Sequence, residues 1–165
     1  CMIDGPSQFD FYSGGGLDIA FLGFGEIDAV GNVNVSKLGG NTVGPGGFID
    51  IAQNARKVVF CGTFDTGGAR TEAGSGVMRV TEHGRISKLV DKVDQITFSG
   101  PQSLLQGQKV IYITERAVFE LRENGLHIIE IAPGIDLQTD LLDRMGFVPN
   151  MNSPLSEMDS NYFKK

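Results

Sequence analysis

The chain has 165 residues, 41% of them apolar, enough for one domain with its own core. Its 20 acidic residues outnumber 14 basic ones, and the net charge of −6 argues against a nucleic-acid binder while leaving room for an anion in a local pocket. No apolar run reaches membrane-spanning length, no charged segment followed by an apolar one opens the chain, and Cys1 and Cys61 do not make a disulfide framework, so a reducing cytoplasm is the expected setting.

The chain opens on Cys1 rather than methionine, which reads as a processed chain or a fragment. The other reading makes Cys1 an N-terminal nucleophile using its own amine as base, but nothing nearby supplies an orienting third group. Residues 8–12 (Gln-Phe-Asp-Phe-Tyr) alternate polar and aromatic as an edge strand would, and Ser13 with Gly14, Gly15 and Gly16 breaks the pattern. Residues 17–24 are mostly apolar and bounded by glycine, which suits a buried strand. Strict alternation over 26–36 around Gly31-Asn32 predicts a β-hairpin.

Residues 48–56 follow a helical period, with Phe48, Ile51, Ala52 and Ala55 on one face. The continuous apolar run 57–64 is the strongest strand, and a helix leading into it suits a sheet covered on both faces, with Cys61 a small buried apolar residue. A polar loop over 65–75 precedes short strands at 76–81, 86–90, 95–99, 109–114 and 117–121. Asn124-Gly125 turns the chain into a strand at 126–131. Asp136 can cap a last helix over 137–145, with Gly146 and Pro149 ending it. Residues 150–165 are polar and aperiodic and read as a tail beyond a domain over 1–149.

The glycine-rich stretch Gly44-Pro45-Gly46-Gly47-Phe48 runs straight into the first periodic helix. Glycine lets a ligand approach the main chain, and a helix start presents unpaired N–H groups, so the stretch suits an oxyanion or a phosphate. Asn34 and Lys37 on the hairpin face either a ligand or their own turn, and Gln8, Phe9 and Tyr12 either border a pocket or form the edge strand. Glu115 and Arg116 read as a structural ion pair. His83 and His127 lack ligand spacing for zinc.

In order, these segments resemble the C-terminal part of a family I coenzyme A transferase. They are Gln8-Phe9-Asp10-Phe11-Tyr12, the run 14–23, Asn32-Val33-Asn34-Val35-Ser36-Lys37, Gly44-Pro45-Gly46-Gly47-Phe48-Ile49-Asp50-Ile51, Ile113-Thr114-Glu115-Arg116 and Ile129-Glu130-Ile131-Ala132-Pro133-Gly134. The resemblance covers nearly all of 7–148 and is closest to the single-chain acetate or propionate type, related to the ketone-body succinyl-CoA transferases. It implies an α/β fold with an open mixed sheet, and ping-pong transfer of CoA between short carboxylic acids through a glutamyl-CoA thioester. It implies acyl-CoA, short carboxylic acids and the missing N-terminal part of the enzyme as partners, and no resident cofactor; exposed edges left by truncation point to a homo-oligomer. Gly46 and Gly47 would stabilise the tetrahedral oxyanion, with Gly44, Phe48, Asn34, Lys37, Gln8 and Phe9 around the CoA and substrate. One such backbone donor is worth ~3 kcal/mol in the transition state. The family's nucleophilic glutamate lies upstream of the Gln8–Gly16 stretch, so no nucleophile carries over. Glu26 is the one tempting substitute and reads better as a hairpin residue. An acyl-CoA hydrolase on the same fold and a non-catalytic CoA or phosphate-binding module stay open, with a phosphosugar isomerase further off.

Overall fold

The computed structural model of the chain describes residues 2–164; Cys1 lies outside them, and with it the N-terminal-nucleophile reading. One six-stranded mixed sheet organises the molecule. Its strands are β1 (Ala20–Leu22), β2 (Lys57–Cys61), β3 (Lys109–Ile113), β4 (Ala117–Arg122), β5 (Gly125–Ile131) and β6 (Asn150–Glu157), in the spatial order β1-β2-β3-β4-β5-β6. The first three run parallel, β3 to β5 form an antiparallel meander, and β6 returns parallel to β5. Three short helices accompany it: α1 (Gly5–Ser13), α2 (Phe48–Asn54) and α3 (Gly100–Leu105).

The registers place Ala20, Val58 and Val110 in one row of one face, and Leu22, Phe60, Tyr112 and Phe119 in the next. This face carries the core. Phe60 stacks on Tyr112 with centroids 5.3 Å apart and meets Phe98 edge-on at 5.1 Å. Ala52 of α2 is fully buried against it, which is what the helical period of 48–55 predicts.

The opposite face divides in two. Over the antiparallel strands it carries Glu120, Arg122, His127 and Glu130, as a face turned to water should. Over the parallel strands it carries Phe21, Val59, Ile111, Cys61 and Ile113, an apolar surface buried at Val59 and exposed at Phe21, Cys61 and Ile113. Phe21 is 66% exposed and Ile113 37%. The expected two-sided cover is therefore present on one side only, and Cys61, predicted buried, is exposed because it closes β2 on the bare side.

Other expectations need correction. Residues 5–13 are helical, not an edge strand: Asp4 accepts from the Ser7 amide at 2.8 Å and Pro6 occupies the first turn, two helix-start signals that outweigh the short alternation. The stretch 65–75 is not a plain loop, since Arg70–Gly74 pairs antiparallel with Val77–Glu82. Residues 95–99 make only an isolated bridge, Val33 to Phe98, before Ser99 caps α3. Residues 150–157 form β6, with Met158 and Phe163 buried behind it, where a polar tail reads from composition. The last helix is a wide turn over Leu137–Leu141 followed by a 3₁₀ turn at Leu142–Arg144, but Asp136 caps it as expected, accepting from the Thr139 amide at 2.7 Å.

Candidate active site

The glycine loop stands at the end of two stacked turns. The predicted hairpin pairs Glu26–Ile27 with Val33–Asn34. A second, Lys37–Leu38 with Asn41–Thr42, turns through Gly39 and Gly40, whose φ values of 57° and 79° fit a tight two-residue turn. Asn34 joins them. It is fully buried, its Oδ1 accepts from the Ser36 and Lys37 amides at 3.0 and 3.1 Å, and its Nδ2 donates to Glu26 Oε2 and the Lys37 carbonyl at 2.7 and 2.5 Å. The Ser36 carbonyl then accepts from both Val43 and Gly44 at 2.8 and 3.1 Å, fixing where the loop begins. Lys37 pairs with Asp94 at 3.0 Å. Asn34 and Lys37 thus hold the turn from which the loop springs, and Glu26, bonded to Asn34 and to the Asp94 amide, belongs to the same brace.

The loop itself is open. Gly44 and Gly46 have φ of 87° and 54°, conformations glycine adopts without strain, and a Cβ at either would meet nothing within 4 Å. The Phe48 amide donates back to the Pro45 carbonyl at 3.1 Å, whereas the amides of Gly46 and Gly47 donate to no acceptor among the described residues. Phe48 is the loop's anchor, its ring stacked on Phe60 with centroids 5.8 Å apart. Phe9 reaches the loop from α1, lying so close over Gly47 that a Cβ there would sit 2.7 Å from the ring. Gln8 turns away and bonds Tyr12 on its own helix.

Two other features carry charge. Arg116 is fully buried: it donates to Asp65 at 2.8 Å, to Glu115 at 3.1 Å and to the Asp140 carbonyl at 3.1 Å, with its guanidinium 4.7 Å over the Phe64 ring. The expected Glu115–Arg116 pair is present, enlarged by Asp65. His83 lies at this cluster, beside Asp140, while His127 bonds Asn124 across the β4–β5 turn, so the two histidines occupy separate places.

Sequence reasoning passed over Lys88. Its ammonium sits 4.0 Å from the centroid of Phe24, with no carboxylate within ion-pair distance among the described residues. Burial lowers its pKa, an effect that Glu115 partly opposes. Lys88 and Phe24 line one cavity with Leu38 and Ile86, beyond the carboxyl ends of the parallel strands. A lysine between Ser87 and Leu89 gives no signal in sequence, because the ring and the cavity come from distant segments.

No protein-family model matches the sequence. Individual relatives do. The acetate CoA-transferase YdiF of Escherichia coli O157:H7 is 50% identical over 162 residues, which are 98% of this chain and 30% of that protein. The caffeate CoA-transferase of Acetobacterium woodii is 47% identical over 168 residues, 99% of this chain and 32% of its own length. The crystal structure of the E. coli acyl-CoA transferase YdiF apoenzyme matches with a TM-score of 0.96 over 99% of this chain and 32% of that one, and the same protein has been crystallised as a thioester complex with CoA. The decarboxylase AibA/AibB, at 23% identity and a TM-score of 0.70, shares the fold alone. The chain thus shares half its residues with an acyl-CoA transferase along nearly its whole length and on one backbone, and it spans about 30% of the length of the relatives it matches.

Proposed function

We propose that the chain is the C-terminal catalytic part of a short-chain acyl-CoA:carboxylate CoA-transferase, and that the rest of the enzyme supplies the nucleophilic glutamate. The observation that carries this reading is the pair of amides at Gly46 and Gly47 that bond no acceptor among the described residues, on a loop open at Gly46 and backed at Gly47 by the Phe9 ring. When a carboxylate attacks a thioester, the carbonyl oxygen becomes an oxyanion. Two fixed N–H donors stabilise that charge without reorganising at the moment of reaction. Gly44 sets the loop's entry, Phe48 its exit and Phe9 its wall, while Asn34 and Lys37 act through the turn. CoA enters as a substrate, and no resident cofactor is needed. A cytoplasmic setting and an oligomeric enzyme complete the proposal, supported by the free Cys61 thiol and by the bare sheet face. No described helix is long and apolar enough to cross a membrane.

The test is complementation. The chain, mixed or fused with the remaining part of the transferase, should move CoA from an acyl-CoA to acetate, and the chain alone should not. Gly46→Pro removes one donor and cannot adopt the loop's φ; turnover should fall by about 10²-fold or more while the melting temperature changes little. Undiminished turnover would count against the loop's role. Thiol release without acceptor acid would identify a hydrolase, and tight CoA binding by the chain alone a binding module.

A further inference from the structure

The cavity at Lys88 has the makings of a site. It has a volume of about 340 Å³; Phe24, Leu38 and Ile86 form its apolar walls, and Glu26, Thr66 and Ser87 join Lys88 as its polar lining. Phe24 follows the end of β1 by two residues, and Gly62 follows the end of β2 directly. At Gly62 a Cβ would lie 2.8 Å from the Phe24 ring and 3.0 Å from the Lys88 nitrogen, so a side chain there would displace both groups. In open α/β sheets ligands collect beyond the carboxyl ends of parallel strands. Leu38 and Gly39, which line this cavity, belong to the hairpin leading into the glycine loop.

Its two charged lining residues, Lys88 and Glu26, do not pair with each other. The two carboxylates nearby are already engaged: Glu115 accepts from Arg116 and from the Phe64 amide at 2.9 Å, and Glu26 from Asn34 and the Asp94 amide at 3.0 Å. The Lys88 ammonium therefore faces an apolar wall with a ring beneath it and no counter-ion. An unpaired, partly desolvated ammonium is satisfied by an anion that brings its own apolar surface.

We propose that this cavity binds a free monocarboxylic acid, its carboxylate on the Lys88 ammonium and its chain or ring against Phe24, Leu38 and Ile86. The site prefers acids longer than acetate, because acetate would leave the apolar walls unfilled. The proposal rests on the transferase reading for the choice of a carboxylic acid.

The test is a titration of the full chain with acetate, hexanoate, cinnamate and neutral cinnamamide, followed by the methyl resonances of Leu38 and Ile86 in ¹H–¹³C spectra. Hexanoate and cinnamate should shift both saturably, acetate should bind more weakly, and the amide about tenfold more weakly than the acid. Lys88→Met should weaken the acids about tenfold and leave the amide unchanged. Leu38→Trp, which fills the cavity with Lys88 in place, should abolish binding of all four; unliganded spectra confirm that both variants are folded. Equal binding of acid and amide, full binding by Lys88→Met, or shifts elsewhere on the chain would overturn the site. Loss of the acid shifts on adding the rest of the enzyme would assign the ammonium to a carboxylate of that part and overturn the free-acid proposal. Turnover in the complemented enzyme without these shifts defeats the cavity alone, and shifts without turnover defeat the transferase alone.

Discussion

Arg116 is the residue on which most depends locally. It sits at full burial between Asp65, which is 2% exposed, and Glu115, with its guanidinium donors out of bulk solvent. Removing one partner of a buried pair leaves the other charge uncompensated, at a cost of ~3–5 kcal/mol. Arg116→Met should lower the urea midpoint accordingly, and adding Asp65→Leu should recover part of the loss; a change below ~1 kcal/mol for Arg116→Met would show the cluster to be dispensable. Lys88 behaves in the opposite sense. Its pKa is lowered by burial, so the folded state binds fewer protons than the unfolded chain between the two pKa values, and stability rises with pH across that window. Lys88→Met should therefore be more stable than the parent at neutral pH, with the gap closing as the solution becomes alkaline. A gap that stays constant with pH would mean that the ammonium is fully solvated.

Elements here are fastened by close backbone approaches as much as by propensity. The turn after Ile27 is knotted by Asp28, which accepts from the Val30 and Asn32 amides at 3.2 and 2.9 Å, while Asn32 Oδ1 accepts from the Gly100 amide at 3.1 Å. Gly100 starts α3 against that turn, and a Cβ on it would lie 2.2 Å from the Val30 carbonyl oxygen. Gly100→Ala should thus cost about 2–3 kcal/mol, as overpacking does, whereas Gly5→Ala, where nothing lies within 4 Å, should be neutral in the same denaturant titration. What could be read beforehand follows the same division. The 26–36 hairpin, α2, β2 and the β4–β5 turn were legible because each has a local signature: alternation, a helical face, an apolar run, Asn-Gly. α1 reads as a strand in sequence because its five alternating residues are more visible than a capping aspartate and a proline. β6 was missed because its strand bonds to β5 in a sequence that is polar and carries Pro154. Of the site, the glycine loop was visible by composition. The reason Asn34 matters was not, since an amide bonded at both ends looks in sequence like any hairpin asparagine.

At the scale of the molecule, the division of the sheet's outer face is the dominant fact. Parallel strands are ordinarily covered on both sides, and here Ile19, Phe21 and Ile113 stand 42%, 66% and 37% exposed. An apolar surface of this kind associates unless something covers it. The isolated chain should show concentration-dependent self-association by sedimentation velocity, and Phe21→Lys with Ile113→Lys should reduce it without altering the melting temperature. A parent chain that stays monomeric at high concentration would show that the bare half carries no adhesive force. The exposed thiol of Cys61 on this face gives an independent footprint, because any polypeptide seated there must slow its alkylation.

The ring of Phe9 over Gly47 ties the loop to a helix that itself has no buried residue. A lever resting on so light a support transmits whatever presses on it. Any surface that clamps α1 holds the ring on Gly47, and one that leaves α1 loose frees that glycine's backbone, so a contact made away from the loop reaches it through one phenyl group.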